Sequence, residues 1–523
     1  MNFMDNRESN LSVWARLLIA GTVFCLIFDN IPRFIQIGLI SSGFSCKFSW
    51  YFLFILMIVW IYQTCKGNFI ISKDDYLFVK YIFCLMVVVL LSNILGLINY
   101  PYYNELLLGP SNQIEKLPTI LSLLNNHGIA INEKYLTIIW IGIRSVKGAI
   151  LNVLYTFGFS FVLYQFFKRD WEFCFNLITT MVIASITILC IYSIIELFYL
   201  AGFNFAQNIL SAINPIIHPI AVDHGWWPPL LWKGQLRSLF SEPSRMGNYL
   251  AFAMPFLWGK FLLSDKKSIG VTAIIIFYTF MIFMTKARTA VALYFGIMGL
   301  LFLGVVYIHK RNLIKKFFII CGITILSLGM SIGFINMTTQ NDMGTQETTM
   351  TSYMDDNVLS LESTNKRSNG ARYALICANA KTGIEHPILG VGGVLTSAYT
   401  VHNFNEADLA NKEVSMWVKN FQEQGTLRYS LDSMNEYVSL FANYGSVGLV
   451  LFLVPAMYAL FGLFKRIRLA QGDEVIKIYT ILLSLIGTLV AGCNGSLTLL
   501  YTYWVVLAFA YAILFEGKKS ISR

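Results

Sequence analysis

Long apolar runs separated by short polar or basic segments dominate the chain. Each run is about 20 residues long, which is the length that an α-helix needs to cross the hydrocarbon core of a bilayer. The pattern therefore predicts membrane-spanning helices. We expect about twelve spans, at roughly 14–28, 48–64, 77–99, 136–166, 173–201, 247–264, 269–285, 289–308, 317–336, 436–464, 475–492 and 497–515.

The composition supports the same conclusion. Hydrophobic residues make up 56% of the 523 residues and charged residues only 13%, about half the charged share of soluble domains. The predicted fold class is an all-α polytopic membrane protein with a large extracytoplasmic loop that contains short helices. Nine scattered cysteines without a C-x-x-C pair indicate neither a disulfide framework nor a zinc site.

The basic residues predict which side of the membrane each connection faces. Lys and Arg outnumber Asp and Glu by 39 to 29, and most of them flank spans, which fits topology and anionic lipid better than a nucleic-acid partner. Both termini share one side, and connections there are basic, as at Lys168-Arg169 and Lys465-Arg466. By the positive-inside rule that side is the cytoplasm. The polar first residues predict no cleavable signal.

Three long segments then face outward: 100–135, 203–246 and 337–435. We divide the chain into residues 1–336, with nine spans and the outward loop at 203–246; a large extracytoplasmic loop at 337–435; and residues 436–523, with three spans and a cytoplasmic C-terminus. The Thr- and Ser-rich stretch 337–370 indicates flexible loop, whereas Ala371–Thr382 is typical of a helix. A loop of this size usually covers or builds a site.

Charged residues at the outer ends of spans are the candidates for chemistry, because an ionisable group at membrane depth costs about 2.5–3.5 kcal/mol unless it is paired or hydrated. One cluster runs from Arg237 to Asn248 and contains Glu242 and Arg245, directly before an apolar helix. The alternative is an interfacial helix cap, which requires less charge than this cluster carries.

A second cluster, Thr285-Lys286-Ala287-Arg288-Thr289, is a dibasic turn on the side where positive charge is disfavoured. The guanidinium of Arg288 can engage two phosphate oxygens at once. The turn therefore predicts a site for a phosphorylated ligand. The alternative is that both basic side chains extend to lipid headgroups.

A third cluster, Asp432 to Tyr437, begins a predicted span. Asp432 is either a helix cap or an acidic group placed beside Arg288 and Arg237. Arg372 in the long loop adds a further cation, with an ordinary solvated arginine as the alternative. The six histidines lack metal-ligand spacing and no nucleotide-binding loop is present, so we predict neither a metal nor a cofactor.

Four blocks in this order resemble motifs of the O-antigen polymerase and O-antigen ligase superfamily of bacterial polysaccharide assembly. They are Arg237–Met254, similar to an arginine and Glu-Pro-Ser block; Thr285–Thr289, similar to a Ser/Thr-x-x-Arg-Thr block; Arg372–Gly393, which ends on His-Pro-x-x-Gly-x-Gly; and Asn435–Phe452, with Gly-x-x-Gly before a phenylalanine. Their order and their shared predicted side make the combination specific. Within the third block, His386–Gly393 has the composition of a turn.

The resemblance implies a glycosyltransferase of the bacterial cytoplasmic membrane that needs neither metal nor nucleotide. Members of the superfamily take an undecaprenyl diphosphate-linked glycan at the outer face of that membrane and transfer it to an acceptor. The partners implied are the lipid-linked donor and acceptor, the bilayer, a chain-length regulator and a flippase, with no nucleic acid among them.

Within the superfamily we favour a polymerase of repeat units for O-antigen or a related surface polysaccharide. Ligases commonly carry a histidine just before the asparagine of the last block, and here Met434 precedes Asn435. An O-antigen ligase acting on lipid A-core is the alternative within the superfamily. A flippase for the same lipid-linked unit is the alternative from another class, but flippases usually show repeated halves and short loops.

The resemblance and the charges together assign roles to individual residues. Arginines would hold the diphosphate and stabilise its developing charge, and a carboxylate would accept the proton of the attacking sugar hydroxyl. We assign catalysis to Glu242, Asp432 and Arg288; diphosphate binding to Arg237, Arg245, Arg288 and Arg372; and glycan binding or positioning to Asn435, Glu436 and His386.

Overall fold

The computed structural model describes residues 11–37, 42–69, 72–108, 117–219, 234–264, 269–339, 348–357, 360, 367–431 and 434–516. Regular secondary structure in this part of the chain is helical, as the apolar runs predicted. In chain order the helices are α1 (Val13–Phe24), α2 (Ser42–Ser45), α3 (Phe48–Cys65), α4 (Lys73–Ile98), α5 (Tyr103–Leu108), α6 (Leu117–Asn126), α7 (Glu133–Val153), α8 (Phe159–Phe167), α9 (Trp171–Leu200), α10 (Asn204–Ile217), α11 (Pro243–Leu263), α12 (Ile269–Met284), α13 (Arg288–Ile308), α14 (Arg311–Thr339), α15 (Met350–Asn357), α16 (Arg367–Glu385), α17 (Thr396–His402), α18 (Glu406–Leu409), α19 (Lys412–Gln424), α20 (Glu436–Leu469), α21 (Asp473–Ala491) and α22 (Tyr501–Glu516).

The chain is a polytopic membrane protein. Among the described residues, eight helical stretches are long and apolar enough to cross a membrane: Phe48–Cys65, Lys73–Ile98, Glu133–Phe167, Trp171–Leu200, Arg288–Ile308, Arg311–Thr338, Glu436–Leu469 and Asp473–Asn494. Three shorter apolar helices are Val13–Ile27, Ile269–Met284 and Tyr501–Phe515. These helices coincide with predicted spans, and the remaining predicted span, at 247–264, corresponds to α11.

Helix α11 forms the centre of the bundle. It packs against α9, α12, α13 and α21, and nearly every residue from Met246 to Trp258 is buried. A Cβ added at Gly247 would lie 2.7 Å from Ala290 of α13, so a small residue is needed for this close approach of two helices. Because α11 begins at Pro243, its tight packing fixes the position of the preceding Glu242.

The two ends of the bundle are chemically different. At one end, Lys168 lies 2.9 Å from Asp75 at the start of α4, and Lys477 lies 3.6 Å from Glu172 at the start of α9. These residues belong to segments that the charge pattern predicted to be cytoplasmic. The opposite ends of α4 and α9 meet segments that were predicted to face outward. Segments with the same predicted side therefore come together.

An interruption in α20 attaches the long loop to the bundle. The helix is broken at Gly445, where φ is 64° and ψ is −169°. The carbonyl of Ala442 accepts a hydrogen bond of 3.0 Å from the N–H of Val391 in the loop. A Cβ at Gly390, where φ is 64°, would lie 2.5 Å from that same carbonyl oxygen. The turn predicted at 386–393 is confirmed, and glycine is required for this contact.

Helix α4 is the third partner of this turn. The Ser92 hydroxyl donates to the carbonyls of Leu389 and Asn443, the latter at 2.8 Å, and the Asn93 side chain accepts from the N–H of Gly393 at 2.9 Å. These bonds satisfy polar groups that would be costly if buried without partners. We call residues 92–96, 386–393 and 442–446 the glycine junction.

The described part of the long loop is largely helical. Helix α16 contains the predicted helix at 371–382 and packs against α17, α19 and α20. Part of the stretch predicted to be flexible loop, 337–370, is helical among the described residues, because α15 forms there and packs against α13 and α14. Tyr353 of α15 is buried, and its hydroxyl donates to the carbonyl of Phe283 at 2.5 Å.

Candidate functional site

A polar cavity of about 200 Å³ lies at the end of the bundle that gathers the predicted outward segments. We call it the central cavity. Segments distant in the sequence line it: residues 26–29, 47–49, 240–249, 372, 434 and 494–502. Three cations and two carboxylates are among the lining residues, namely Lys47, Arg245, Arg372, Asp29 and Glu242. Cations and carboxylates thus line the same cavity.

Asp29 joins the first outward turn to the charged cluster before α11. Its Oδ1 accepts a hydrogen bond from the N–H of Ser241 and its Oδ2 accepts one from the Ser241 hydroxyl, both at 3.1 Å. The Nε of Arg245 lies 3.9 Å from Oδ2. Asp29 therefore fixes the backbone before Glu242 and orients a guanidinium at the cavity.

Lys47 is a buried cation in the same wall, with 8% of its surface exposed. Burial, followed by the positive charge of Arg245, lowers the pKa of Lys47 below its ordinary value of 10.5, although the charges of Asp29 and Glu242 act in the opposite direction. Burying an ammonium beside another cation is unfavourable. An anion bound in the cavity would relieve this cost.

Glu242 immediately precedes α11 and faces the cavity. Pro243 occupies the first turn of the helix, where a missing N–H costs no hydrogen bond. The Glu242 side chain does not cap the helix, and its Oε2 accepts a hydrogen bond from the Ser244 hydroxyl at 3.1 Å. A half-buried carboxylate in this position can accept a proton from a substrate hydroxyl.

Buried polar atoms in the cavity wall indicate a polar occupant. Asn248 Oδ1, the Tyr501 hydroxyl and Thr502 Oγ1 have no hydrogen-bond partner among the described residues. Buried polar groups in proteins are nearly always hydrogen-bonded. A ligand or solvent with hydrogen-bonding groups would therefore complete the site.

Arg372 reaches the central cavity from α16 of the long loop. Its Nη1 donates a hydrogen bond of 2.5 Å to Oδ1 of Asn494, which lies in the short break between α21 and α22. Arg288 is close enough to Arg372 for the two charges to interact, and its Nη1 lies 3.5 Å from the carbonyl oxygen of Ser360. Arg288 thus adjoins the cavity through Arg372 without lining it.

Local contacts build the dibasic turn that carries Arg288. The Thr285 hydroxyl accepts a hydrogen bond from the N–H of Ala287 at 3.1 Å, and Lys286 adopts the left-handed conformation with φ of 48°. Burial lowers the pKa of Lys286. Helix α13 begins at Arg288, so the conformation of the turn determines the position of the Arg288 backbone.

Arg237 lies behind the cavity wall, with 2% of its surface exposed. It interacts electrostatically with Glu196 of α9, whose Oε2 also accepts a hydrogen bond from the N–H of Ser238 at 2.7 Å. Burial and the charge of Arg237 lower the pKa of His218 to about 3, so this imidazole is neutral. Arg237 therefore places a buried positive charge near Glu196, behind the wall of the central cavity.

Asn435 and Glu436 determine how α20 begins beside the cavity. Asn435 is the helix cap, because its Oδ1 accepts from the N–H groups of Tyr437 and Val438 at 3.1 and 3.2 Å. Glu436 is buried and accepts a hydrogen bond of 2.6 Å from the Thr498 hydroxyl. Both residues therefore position the backbone around the cavity.

Two further residues of the predicted site are Asp432 and His386. Asp432 falls outside the described residues. His386 follows α16 in the glycine junction, and its ring meets that of Tyr399 nearly edge-on, with centroids 5.6 Å apart. His386 is absent from the lining of the central cavity as far as the structure describes it.

The central cavity brings together Glu242, Arg245 and Arg372 from among the predicted site residues. The sequence reasoning missed Asp29 and Lys47, which flank the connection between α1 and α3. A signal for Lys47 was available, since it is a basic residue on the predicted outward side, as Arg288 is. The polar break 494–496 between two apolar runs was a second signal.

The arrangement suits an anionic ligand next to a hydroxyl group. Lys47, Arg245 and Arg372 can bind phosphate oxygens through charge-assisted hydrogen bonds, and Glu242 lies in the same cavity as a proton acceptor. Within the described part of the chain, no group of three or more His, Cys, Asp or Glu side chains is arranged to hold a metal ion.

Residues 273–453 match the Wzy_C family, whose description is O-antigen ligase. The chain carries a Wzy_C domain. The match covers about a third of the chain and includes three of the four blocks that resembled this superfamily, at 285–289, 372–393 and 435–452. Members of the Wzy_C family are membrane glycosyltransferases that act as lipid-linked glycan polymerases or O-antigen ligases. No curated protein matched the chain in a sequence comparison.

The Wzy_C domain supplies only part of the central cavity. Arg372 and Met434 lie within the matched residues, whereas Asp29, Lys47 and Glu242 precede them and the break at 494–496 follows them. The Wzy_C domain therefore contributes Arg372 and Met434 to the lining, whereas the two carboxylates, Lys47 and Arg245 come from residues that precede the domain.

Proposed function

We propose that the protein polymerises undecaprenyl diphosphate-linked oligosaccharide repeat units by glycosyl transfer at the outer face of the cytoplasmic membrane. The observation that carries this proposal is the central cavity, in which Lys47, Arg245 and Arg372 lie with Asp29 and Glu242. In a chain with a Wzy_C domain, this combination suits a diphosphate leaving group beside a hydroxyl nucleophile.

The cations act on the diphosphate of the donor. The sugar–diphosphate bond supplies the driving force, so catalysis consists of positioning the reactants and stabilising charge. Lys47, Arg245 and Arg372 bind the diphosphate oxygens and stabilise the charge that develops as the bond to the anomeric carbon breaks. Arg288, next to Arg372, and Arg237, behind the wall, add to the positive potential.

Glu242 is the proposed general base. It accepts the proton of the attacking sugar hydroxyl while the hydroxyl oxygen bonds to the anomeric carbon. Asp29 is less suited to this role, because both of its carboxylate oxygens already accept hydrogen bonds from Ser241. Asp432 is the second candidate carboxylate, on the basis of the sequence alone.

An O-antigen ligase is the second candidate function, because the matching family carries that description. Both reactions break the same donor bond and differ in the acceptor, which is a lipid-linked glycan for a polymerase and lipid A-core for a ligase. Met434 lines the central cavity at the position where ligases commonly carry a histidine, which supports the polymerase.

The proposal includes an orientation and a set of partners. Both termini lie in the cytoplasm and the central cavity faces the periplasm or exterior, which is supported by the basic connections that meet at the other end of the bundle. The donor and acceptor are lipid-linked glycans in the outer leaflet. A chain-length regulator and a flippase are the proposed protein partners.

Deletion of the gene, followed by gel electrophoresis of the surface glycan, distinguishes the candidate functions. Loss of a polymerase leaves lipid capped with a single repeat unit. Loss of a ligase leaves lipid without any capped form, and loss of a flippase traps lipid-linked units on the cytoplasmic leaflet. Either of the last two results contradicts the polymerase.

Complementation of the deletion with Arg245→Ala tests the cavity itself. We expect loss of long polymer at normal protein levels, because a diphosphate ligand is removed. Lys260→Ala is the matched control, since Lys260 is an exposed cation near the other end of the same helix, α11. Unchanged polymer with Arg245→Ala would reject the proposed role.

A further inference from the structure

A second polar pocket lies between α7 and the end of the long loop. It has a volume of about 240 Å³, and we call it the outer pocket. Helix α7 contributes Arg144 and Ser145, and the loop contributes Arg428, Tyr429 and Ser430. None of its described lining residues is acidic. The pocket therefore has the charge of an anion-binding site.

Arg144 lies near the predicted outer boundary of the membrane. The helical stretch Glu133–Phe167 has 35 residues and is about 52 Å long, whereas the hydrocarbon core is about 30 Å thick. Residues 145–167 alone are long enough to span that core, so the helix has room for Arg144 to lie at the outer boundary, although the predicted span 136–166 includes it. Among the described residues Arg144 forms no ion pair or hydrogen bond, which leaves its guanidinium available to a ligand.

Ser145 provides an independent indication of a ligand. Its surface is 3% exposed, it lines the outer pocket, and its hydroxyl has no hydrogen-bond partner in the described part of the chain. A buried hydroxyl without a partner is rare. A ligand with acceptor oxygens would satisfy Ser145 and would also suit the planar donor groups of Arg144 and Arg428.

Aromatic side chains adjoin the outer pocket. Tyr100 lies beside Thr426, which is part of the pocket wall. The rings of Tyr100 and Tyr399 are 5.9 Å apart, and the ring of Tyr102 stacks on that of His402 at 3.9 Å. Such rings combine an apolar face with a polar edge, which suits the apolar faces and hydroxyls of sugars.

We propose that the outer pocket binds an acidic sugar of the glycan through its carboxylate or phosphate group, with the neighbouring tyrosines in contact with adjoining sugars. This inference rests on the proposed function and narrows the substrate to glycans that carry an anionic substituent. A lipid headgroup has oxygens of the same kind, but the long loop forms one wall of the pocket, which favours the glycan.

The test measures binding of fluorescent hexagalacturonate, which carries a carboxylate on each sugar, and of fluorescent maltohexaose, which is neutral. The full-length protein is used in nanodiscs of phosphatidylcholine. We expect Arg144→Gln to weaken hexagalacturonate binding by about tenfold or more, because a charge-assisted contact is lost. Lys147→Gln is the matched control, since Lys147 is exposed on the same helix outside the pocket, and it should change binding by less than about twofold.

Two results would overturn the proposal. One is hexagalacturonate binding that Arg144→Gln leaves unchanged, or that maltohexaose matches in strength. The other is displacement of hexagalacturonate from the wild-type protein by phosphatidylglycerol added to the nanodiscs, which would assign the pocket to lipid headgroups. Arg428→Gln, on the opposite wall, supplies the same measurement if Arg144→Gln fails to fold.

Arg245→Ala separates this inference from the proposed function. This variant alters the central cavity and should abolish transfer while hexagalacturonate binding stays unchanged. If transfer persists in Arg245→Ala, the role of the central cavity is wrong whatever the outer pocket binds. If transfer is lost and Arg144→Gln binds normally, only the outer pocket has been misassigned.

Discussion

The central cavity and the outer pocket both present arginines, but they differ in what surrounds them. In the central cavity Arg245 and Arg372 share the wall with the carboxylate of Glu242. In the outer pocket the other described lining residues carry hydroxyls or apolar groups. Cations alone can bind an anion, whereas cations beside a carboxylate can also accept a proton. The carboxylate is therefore what separates a candidate catalytic site from a binding site.

The two regions also differ in how the chain builds them. The central cavity draws on segments from both ends of the sequence, whereas the outer pocket needs only α7 and the long loop. The glycine junction adjoins a wall of each region. Val394 of the outer pocket directly follows Gly393, which is bonded to Asn93, and α16, which carries Arg372 of the central cavity, ends directly before the junction. A change at the junction should therefore affect both regions, and a change in one wall should affect only one.

The largest effect is expected from Glu242→Gln. If Glu242 is the general base, the transfer rate falls by about 10²–10⁴-fold while donor affinity is retained. The rate is measured with purified protein and lipid-linked donor. Glu406→Gln is the control, because Glu406 is an exposed carboxylate outside both pockets. A fall in both variants, or in neither, would remove the proposed distinction between the two regions.

Arg372→Ala should lower transfer by about 10²-fold, because one donor to the leaving diphosphate is lost. Arg372→Lys keeps the charge without the planar fork, so it should restore activity only in part. Lys381→Ala, an exposed position on the same helix, should leave transfer unchanged. Hexagalacturonate binding should not respond to any of the three, and a parallel loss of binding would show that the two regions are one site.

Gly390→Ala should weaken both regions together. The substitution forces a side chain into a left-handed conformation and against the Ala442 carbonyl, 2.5 Å away, at a cost of about 1–3 kcal/mol for the backbone strain alone. Thermal unfolding in nanodiscs measures the loss. Gly67→Ala is the control, since Gly67 also has positive φ but nothing within 4 Å of its added Cβ. Equal loss in both variants would mean that the contact at the junction contributes nothing.

The smallest effect is a pH dependence that should distinguish the regions. The pKa of Lys47 is lowered from 10.5 by burial and by Arg245, so the ammonium is lost as the pH rises through that lowered pKa, and donor binding weakens by a few-fold. Lys47→Arg remains charged and should bind donor to higher pH. Hexagalacturonate binding, which depends on arginines, should stay level over the same range. Identical donor profiles for wild type and Lys47→Arg would refute this role.

The sequence could predict the helices because a span needs a continuous apolar run. It also pointed to the charged groups at the outer ends of the spans, and three of these, Glu242, Arg245 and Arg372, line the central cavity. In each case the signal was local. A single stretch of residues was enough for each prediction, since a charge at a membrane boundary is costly whatever the fold of the rest of the chain.

The rest depends on which segments meet. Nothing near Asp29 indicates that Ser241 will bind both of its oxygens, and nothing near Arg237 indicates that its charge will act on Glu196. Such pairs are set by helix packing across long sequence separations. The outer pocket could not be predicted from the sequence for the same reason. Arg144 lies within an apolar run, and only the packing of the long loop against α7 makes it part of a pocket.

The break in helix α20 restricts the movement of α16. Backbone hydrogen bonds tie residues 387–393 to α20, and side chains of α4 add further bonds, so an outward movement of α16 would break them. Because α16 carries Arg372, these bonds also hold Arg372 in the wall of the central cavity. In the proposed polymerase, the lipid-linked donor would therefore meet an arginine that is already positioned before the donor binds.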